Sequence, residues 1–208
     1  RFYSTAPAAV SIGYSQDARR ETVWNECCKR GIPIVRRITG GKAVLHFGEI
    51  TYSVVSTVAE KIFPPHVAGT HKVISRCILR GLKELGIHAC LAEEPRQQAS
   101  DEMESFCFAS AAPHELLVDR KKICGSAQIR KRNGFLQHGS LLVHFDAAEA
   151  APLFFENPDA EKIAHLQNTT TALAEHLAAP PDGKEICEIL KAGFEKELNI
   201  KLQEGSLT

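Results

Sequence analysis

The sequence predicts an α+β domain: a mixed, largely antiparallel sheet flanked by helices. Three observations predict it. First, 208 residues with 44% hydrophobic and 24% charged content fit one large domain with a sizeable core, here 1–208 as a single domain. Second, short strand-like runs fill the first 60 residues and recur between 106 and 144. Third, the last third carries helical spacing.

The elements follow in order. Val10–Tyr14 reads as a strand, and residues 17–30 as a helix ending near Gly31. Ile32-Pro33-Ile34-Val35 reads as a buried strand because of its β-branched apolar run. The Gly40-Gly41 pair then breaks the pattern. Ala43–Phe47 and Ile50–Val55 read as two strands joined by Gly48-Glu49 in a tight hairpin. Ile74, Ile78, Leu82 and Leu85 recur at helical spacing, so a helix is expected from His71 to Leu85, stopped by Gly86. Ile87–Leu91 reads as a strand and 92–103 as an exposed loop. Short strands are expected at Phe106–Phe108, Glu115–Val118, Lys122–Gln128 and Ser140–His144. Helices are expected at 159–178 and 184–197, parted by Pro180-Pro181.

Composition excludes several classes. With 25 basic and 25 acidic residues, net charge is +0, so a strongly basic nucleic-acid surface is not expected. No run approaches the ~20 apolar residues of a membrane span. No signal peptide opens the sequence. The seven cysteines include no C-x-x-C pair, which argues against zinc. Scattered thiols point to a reducing, cytoplasmic compartment.

Four segments carry the candidate chemistry. Thr39-Gly40-Gly41 offers backbone amides to a ligand, and Arg36-Arg37 before it could hold an anion. A plain strand connection fits the same residues. In Lys122-Ile123-Cys124-Gly125-Ser126-Ala127-Gln128, small residues inside a strand mark close approach, and alternation puts Lys122, Cys124 and Ser126 on one face. A buried packing site with an exposed lysine is the alternative. Gln137-His138-Gly139-Ser140 precedes an apolar strand, and His138 could orient a substrate or be structural. Cys107 alternates with Phe106 and Phe108; it is a buried small residue unless the fold supplies a cation to make it a nucleophile.

Taken together and in order, these segments resemble the lipoate–protein ligase and octanoyltransferase family, which is related to biotin protein ligases. The resemblance runs from Arg1 to Asp146. Val10-Ser11-Ile12-Gly13-Tyr14-Ser15-Gln16 is similar to the family's first strand. Arg36-Arg37-Ile38-Thr39-Gly40-Gly41 is similar to its Arg-Arg-x-Thr-Gly-Gly hallmark. Lys122-Ile123-Cys124-Gly125-Ser126-Ala127-Gln128 resembles its lysine segment, and Gln137–Ser140 completes the set. Three features resemble the cysteine-dependent transferase branch. They are Cys107-Phe108 before Glu115, Lys42 where ligases have a third glycine, and Glu49-Ile50-Thr51-Tyr52-Ser53. His114 departs from the branch, which has tyrosine there, as does Arg120-Lys121 before the lysine. Arg1 reads as a cropped start.

The resemblance implies a class II aminoacyl-tRNA synthetase/biotin synthetase-like catalytic fold. It also implies transfer of an octanoyl group from octanoyl-acyl carrier protein, through an acyl-cysteine, to a lysine of a lipoyl-accepting protein such as glycine cleavage H protein. Cys107 is then the nucleophile and Lys122 the fixed cation at the acyl carbonyl. Arg37, Thr39, Gly40, Gly41, Lys42, His46, Gly125, Ser126, Ala127, Gln128, His138 and Gly139 are the expected substrate-binding residues. Arg36, Arg37 and Lys42 are candidates to meet the acidic carrier or its phosphopantetheine arm. No cofactor is expected. Two enzymatic alternatives remain: an ATP-dependent lipoate–protein ligase, which would need ATP and magnesium, and a lipoyl amidotransferase. A binding protein on the same fold is a third.

Overall fold

A computed structural model describes residues 1–93, 108 and 112–205. Its strands are β1 (Phe2–Tyr3), β2 (Ala9–Ile12), β3 (Ile34–Arg36), β4 (Val44–His46), β5 (Glu49–Thr57), β6 (Cys90–Leu91), β7 (Leu116–Val118), β8 (Lys121–Lys131) and β9 (Gly134–Leu142). Its helices are α1 (Ala18–Glu21), α2 (Trp24–Lys29), α3 (Val67–Glu84), α4 (Ala147–Phe154), α5 (Ala160–Thr169) and α6 (Gly183–Leu198), with a 3-10 turn at Leu173–Glu175.

The strands form two sheets. A six-stranded antiparallel sheet has the order β1-β5-β9-β8-β7-β6. A three-stranded sheet has the order β3-β2-β4, with β2 and β3 parallel and β2 and β4 antiparallel. Successive residues of a strand point to opposite faces, so each face of the large sheet can support its own core. Leu141 belongs to one core, with Ile74, Ile78 and Leu82 of α3 and Ile186 and Leu190 of α6. Leu142 belongs to the other, with Val10 and Ile12 of β2, Val44 of β4 and residues of α4 and α5. The expected α+β class holds, with a second small sheet beside the large one.

Local chemistry sets the long helices. α3 starts where the His66 ring accepts the Gly69 amide, buries Ile74, Cys77, Ile78 and Leu82 on one face, and ends before Gly86 at φ +77°. α6 starts at Asp182, whose carboxylate accepts the Glu185 amide. The two helices cross closely at glycines. A Cβ on Gly193 would lie 2.6 Å from the Cys77 carbonyl oxygen.

Several local expectations are corrected. The helix expected at 17–30 is two short helices, because Thr22 is extended (φ −142°) and its hydroxyl turns back to the Ala18 carbonyl. β3 is not buried. It is the edge of the small sheet, and Val35 is 49% exposed. β4 and β5 are not a hairpin: Gly48, at φ +63°, carries the chain from the small sheet to the large one. Only Cys90–Leu91 of the strand expected at 87–91 pairs. Gln137, His138 and Gly139 lie inside β9 rather than before a strand. α4 was not expected. Its six leading residues are mostly alanine, and Asp146 caps it by accepting the Ala148 and Glu149 amides. Most of the 92–103 loop, and the Phe106–Cys107 part of the next strand, lie outside the described residues.

Candidate active site

The site forms where the turn after β3 meets the middle of β8 and β9. Arg37 fixes that turn. Its guanidinium donates to the Ser11 carbonyl (3.0 Å) and hydroxyl (3.1 Å), the Gly40 carbonyl (2.9 Å) and the Lys42 carbonyl (2.7 Å). Arg36 spends one nitrogen on the carbonyls of Gly13, Tyr14 and Gln16. Both arginines therefore clamp backbone, and neither offers these N–H groups to an acidic partner. Gly13 lets the two turns touch: a Cβ there would sit 2.1 Å from the Gly41 carbonyl oxygen. Gly41 itself is at φ +93°.

Two polar chains extend from this turn. Thr39, fully buried, pairs through Oγ1 with His138 Nε2 at 2.6 Å. Burial, with Arg37 and His46 nearby, pushes the His138 ring down to about 4, so it is neutral at physiological pH. The second chain runs Ser11–His46–Glu49. His46 Nε2 lies 2.8 Å from Ser11 Oγ, and Nδ1 lies 3.3 Å from Glu49 Oε1. Glu49 also accepts the Thr51 hydroxyl at 2.7 and 2.8 Å. With Nδ1–H given to the carboxylate, Nε2 accepts the Ser11 hydroxyl proton.

The expected small residues converge. Gly41, Gly125, Ser126, Ala127, His138 and Gly139 line one narrow cleft with Ser11, Arg37 and His46. Its cavity volume is about 30 Å³, the room of one water molecule. Gly139 is needed there, since a Cβ would meet the Gly125 carbonyl oxygen at 2.4 Å and the Tyr52 ring at 2.6 Å. Beneath the cleft, Gln128 donates to Gln137 (2.7 Å), Gln137 donates to the Tyr52 hydroxyl (3.0 Å), and Tyr52 pairs with Ser126 Oγ (2.7 Å). Gln128 thus works within the protein, as second support for the wall.

Lys122 is buried, which removes the reading of an exposed lysine. Its ammonium lies 2.7 Å from Glu115 Oε1, with both side chains 5% exposed or less. It also sits over the Phe108 ring, 5.4 Å from the centroid. Glu115 Oε2 accepts the Ala112 amide at 2.7 Å. The register against β7 skips Ile123, pairing Leu117 with Lys122 and Leu116 with Cys124. That bulge interrupts the expected alternation between Lys122 and Cys124, whereas Cys124 and Ser126 keep a regular register against β9. Cys107 lies outside the described residues, while Phe108, next to it in sequence, is buried under Lys122. Lys42 is half-buried at the end of the clamped turn. Sequence reasoning missed Ser11, Tyr52 and Glu115 as site residues. The one signal available was a polar residue placed on the buried face of a strand.

Among the described residues no helix is long and apolar enough to cross a membrane. Residues 1–195 match the model for the lipoyl protein ligase A/B catalytic domain. The whole chain aligns with 77% of a protein named Octanoyltransferase LipM from Symbiobacterium thermophilum at 38% identity. It aligns with 77% of the Bacillus subtilis protein of the same name at 34%. Among solved structures, a bipartite lipoate protein ligase from Thermoplasma acidophilum superposes with TM-score 0.81 at 24% identity, over 100% of this chain and 74% of that one. A lipoate-protein ligase A bound with ATP gives 0.77 at 23%, over 100% and 75%. These likenesses are of fold. With the catalytic-domain model matched over nearly its whole length, the chain belongs to the lipoyl protein ligase A/B catalytic domain family.

Proposed function

We propose that the protein transfers an octanoyl group from octanoyl-acyl carrier protein to a lysine of a lipoyl-accepting protein, through a thioester on Cys107. One observation carries this reading: identity of 34–38% over the full chain to proteins named octanoyltransferase. The lipoate ligases, at 23–24%, support the fold alone. One of those ligases was solved in a study of an archaeal lipoylation system that includes its E2 lipoyl domain, and that class of acceptor suits this chain. Glycine cleavage H protein is one such acceptor. A free thiol as nucleophile suits a reducing compartment such as the cytoplasm.

The chemistry runs in two steps. The Cys107 thiolate adds to the carrier's thioester carbonyl, and the tetrahedral intermediate expels the pantetheine thiolate. This exchanges one thioester for another and needs neither ATP nor metal. The neutral amine of the acceptor lysine then adds to the acyl-cysteine carbonyl; the adduct expels the Cys107 sulfur, which takes up the proton lost by the nitrogen, and leaves an amide. Thioester to amide is downhill and drives turnover. Lys122 supplies the fixed positive charge. Glu115 holds its ammonium at 2.7 Å. Buried and held over Phe108, the ammonium is preorganised to stabilise a thiolate and a developing oxyanion. Loss of one such donor typically raises a barrier by about 2.7–4 kcal/mol.

The cleft beside Ala127 and Gly139 is the proposed wall for the acyl chain. Arg37 holds the 38–42 turn that closes one side of this cleft.

The test is intact mass after mixing the protein with octanoyl-acyl carrier protein without ATP, beside Cys107→Ala. One octanoyl adduct, released by hydroxylamine and absent in the variant, is expected. No adduct without ATP, with an adenylate formed from ATP and lipoate, would replace this reading by a ligase.

A further inference from the structure

Acyl transfer to a lysine has a proton to dispose of before the amine can attack. With an ordinary pKa of about 10.4, an acceptor lysine is neutral in only about one molecule in 2,500 at pH 7. Attack needs the neutral amine, so a base must take a proton from the ammonium at each turnover. Two histidines line the cleft, His46 and His138.

His138 does not suit the task. Its Nε2 is paired with the Thr39 hydroxyl, and it has no hydrogen bond to a carboxylate among the described residues. Burial, with Arg37 nearby, keeps its ring neutral down to about pH 4.

His46 is held on both sides. Nδ1 lies 3.3 Å from Glu49 Oε1 and Nε2 lies 2.8 Å from Ser11 Oγ. A carboxylate can only accept, so Nδ1 carries the ring hydrogen and Nε2 takes the Ser11 hydroxyl hydrogen. The serine oxygen in turn accepts Arg37 Nη1 at 3.1 Å. That oxygen has two lone pairs, so one remains for a substrate N–H. Ser11 and His46 both line the cleft, on whose other side Gly125 and Ser126 continue β8 beyond Lys122.

Glu49 is the informative residue. It is 4% exposed, and its hydrogen-bond partners are Thr5, Thr51 and His46. Among the described residues no lysine or arginine pairs with it. A neutral glutamine would accept the same hydroxyls at a smaller desolvation cost, so support of the fold does not call for a carboxylate here. A carboxylate has a use once His46 gains a proton, because it then balances a buried imidazolium.

We propose that Ser11, His46 and Glu49 are the proton-accepting chain of the transfer step: His46 takes one proton from the substrate ammonium through the Ser11 hydroxyl, and Glu49 is the positioning residue that fixes its tautomer and balances its charge. This deepens the octanoyl-transfer reading and rests on it. An N–H bond of the ammonium breaks, an O–H bond forms on Ser11, and the hydroxyl's own proton passes to Nε2. The neutral amine adds to the acyl carbonyl, and its second proton leaves with the departing sulfur. His46 returns its proton to water once the amide has left. The charged and titratable groups that face His46 are Glu49 on β5, Arg37 on the turn after β3 and His138 on β9.

The experiment separates the half-reactions in wild type, Glu49→Gln, His46→Gln and Ser11→Ala, each checked by thermal melting. Acyl-enzyme formed from octanoyl-acyl carrier protein is isolated and mixed with a lipoyl-accepting domain from about pH 6 to 9. At pH 7 the variants should transfer to lysine about 100-fold more slowly than wild type, with a smaller loss in forming the acyl-enzyme. The deficit should shrink as pH rises, because more of the lysine is then neutral without help. Hydroxylamine, already neutral at pH 7, should remove the acyl group with a loss about tenfold smaller than that seen with lysine. An equal loss with lysine and hydroxylamine, or a loss that does not change with pH, overturns the proposal. So does wild-type lysine transfer by His46→Gln. Misfolding of one variant leaves the other two to decide. If the wild type makes an adenylate from ATP and lipoate in place of the acyl-cysteine, the transfer reading fails, and the same pH comparison on lysine attack at the adenylate decides the proton chain.

Discussion

Glu115→Gln should unfold the protein far more easily than its position near a sheet edge suggests. The perturbation keeps shape and removes one charge, leaving the Lys122 ammonium buried at 3% exposure with a neutral amide as neighbour. Breaking a buried pair on one side typically costs about 3–5 kcal/mol, because the remaining charge loses its compensation while its desolvation persists. Neither side chain is exposed enough for solvent to repair the loss. In a domain of this size each kcal/mol moves the melting temperature by about 2–4 °C, so a fall of about 10 °C is expected. The assay is urea and thermal denaturation of Glu115→Gln, Lys122→Met and the double variant Glu115→Leu/Lys122→Met. The double variant should recover most of the stability, since both desolvation costs vanish together and the site fills with apolar volume. It should recover no transfer activity, because the fixed cation is gone. If Glu115→Gln melts within 2 °C of wild type, or the double variant is no better than either single one, the pair is not the electrostatic unit described.

The other predictions concern the cleft. Gly139→Ala should destabilise by about 2 kcal/mol or more and abolish transfer, because its Cβ meets the Gly125 carbonyl oxygen at 2.4 Å; a thermal melt and an acylation assay check both. Burial lowers His138 from 6.5 to about 4, so the unfolded chain takes up that proton first as pH falls. Its contribution, about 3 kcal/mol, is complete above pH 6.5 and lost between 6.5 and about 4; His138→Gln should flatten that part of the stability–pH curve. Arg37→Lys should cost about 2 kcal/mol and speed proteolysis at 38–42, since an ammonium cannot reproduce the fork that reaches Ser11, Gly40 and Lys42 together.

The elements read correctly from sequence are those whose signal is local. α3 announces itself by Ile74, Ile78 and Leu82 at helical spacing and by Gly86 after its end, and α6 by the prolines before it. Errors arose where tertiary structure decides. The run Ile34-Val35 has strand chemistry, but nothing in it tells an edge from a centre. The Gly48-Glu49 pair has hairpin chemistry, and only the partner strands show that β4 and β5 leave for different sheets. The residues of the site were legible as motifs, because Gly13 and Gly139 are required by close backbone contacts and Gly41 by its φ of +93°.

What motifs could not reveal is which charges are spent. Arg36, Arg37 and Lys122 read as three cations available to substrate and partners. In the fold the two arginines hold carbonyls, and Lys122 is tied to Glu115. A single-residue bulge at Ile123 also falls beside this lysine, where the register against β7 shifts. A run of residues can therefore match a family segment letter by letter and still leave its charge balance undecided.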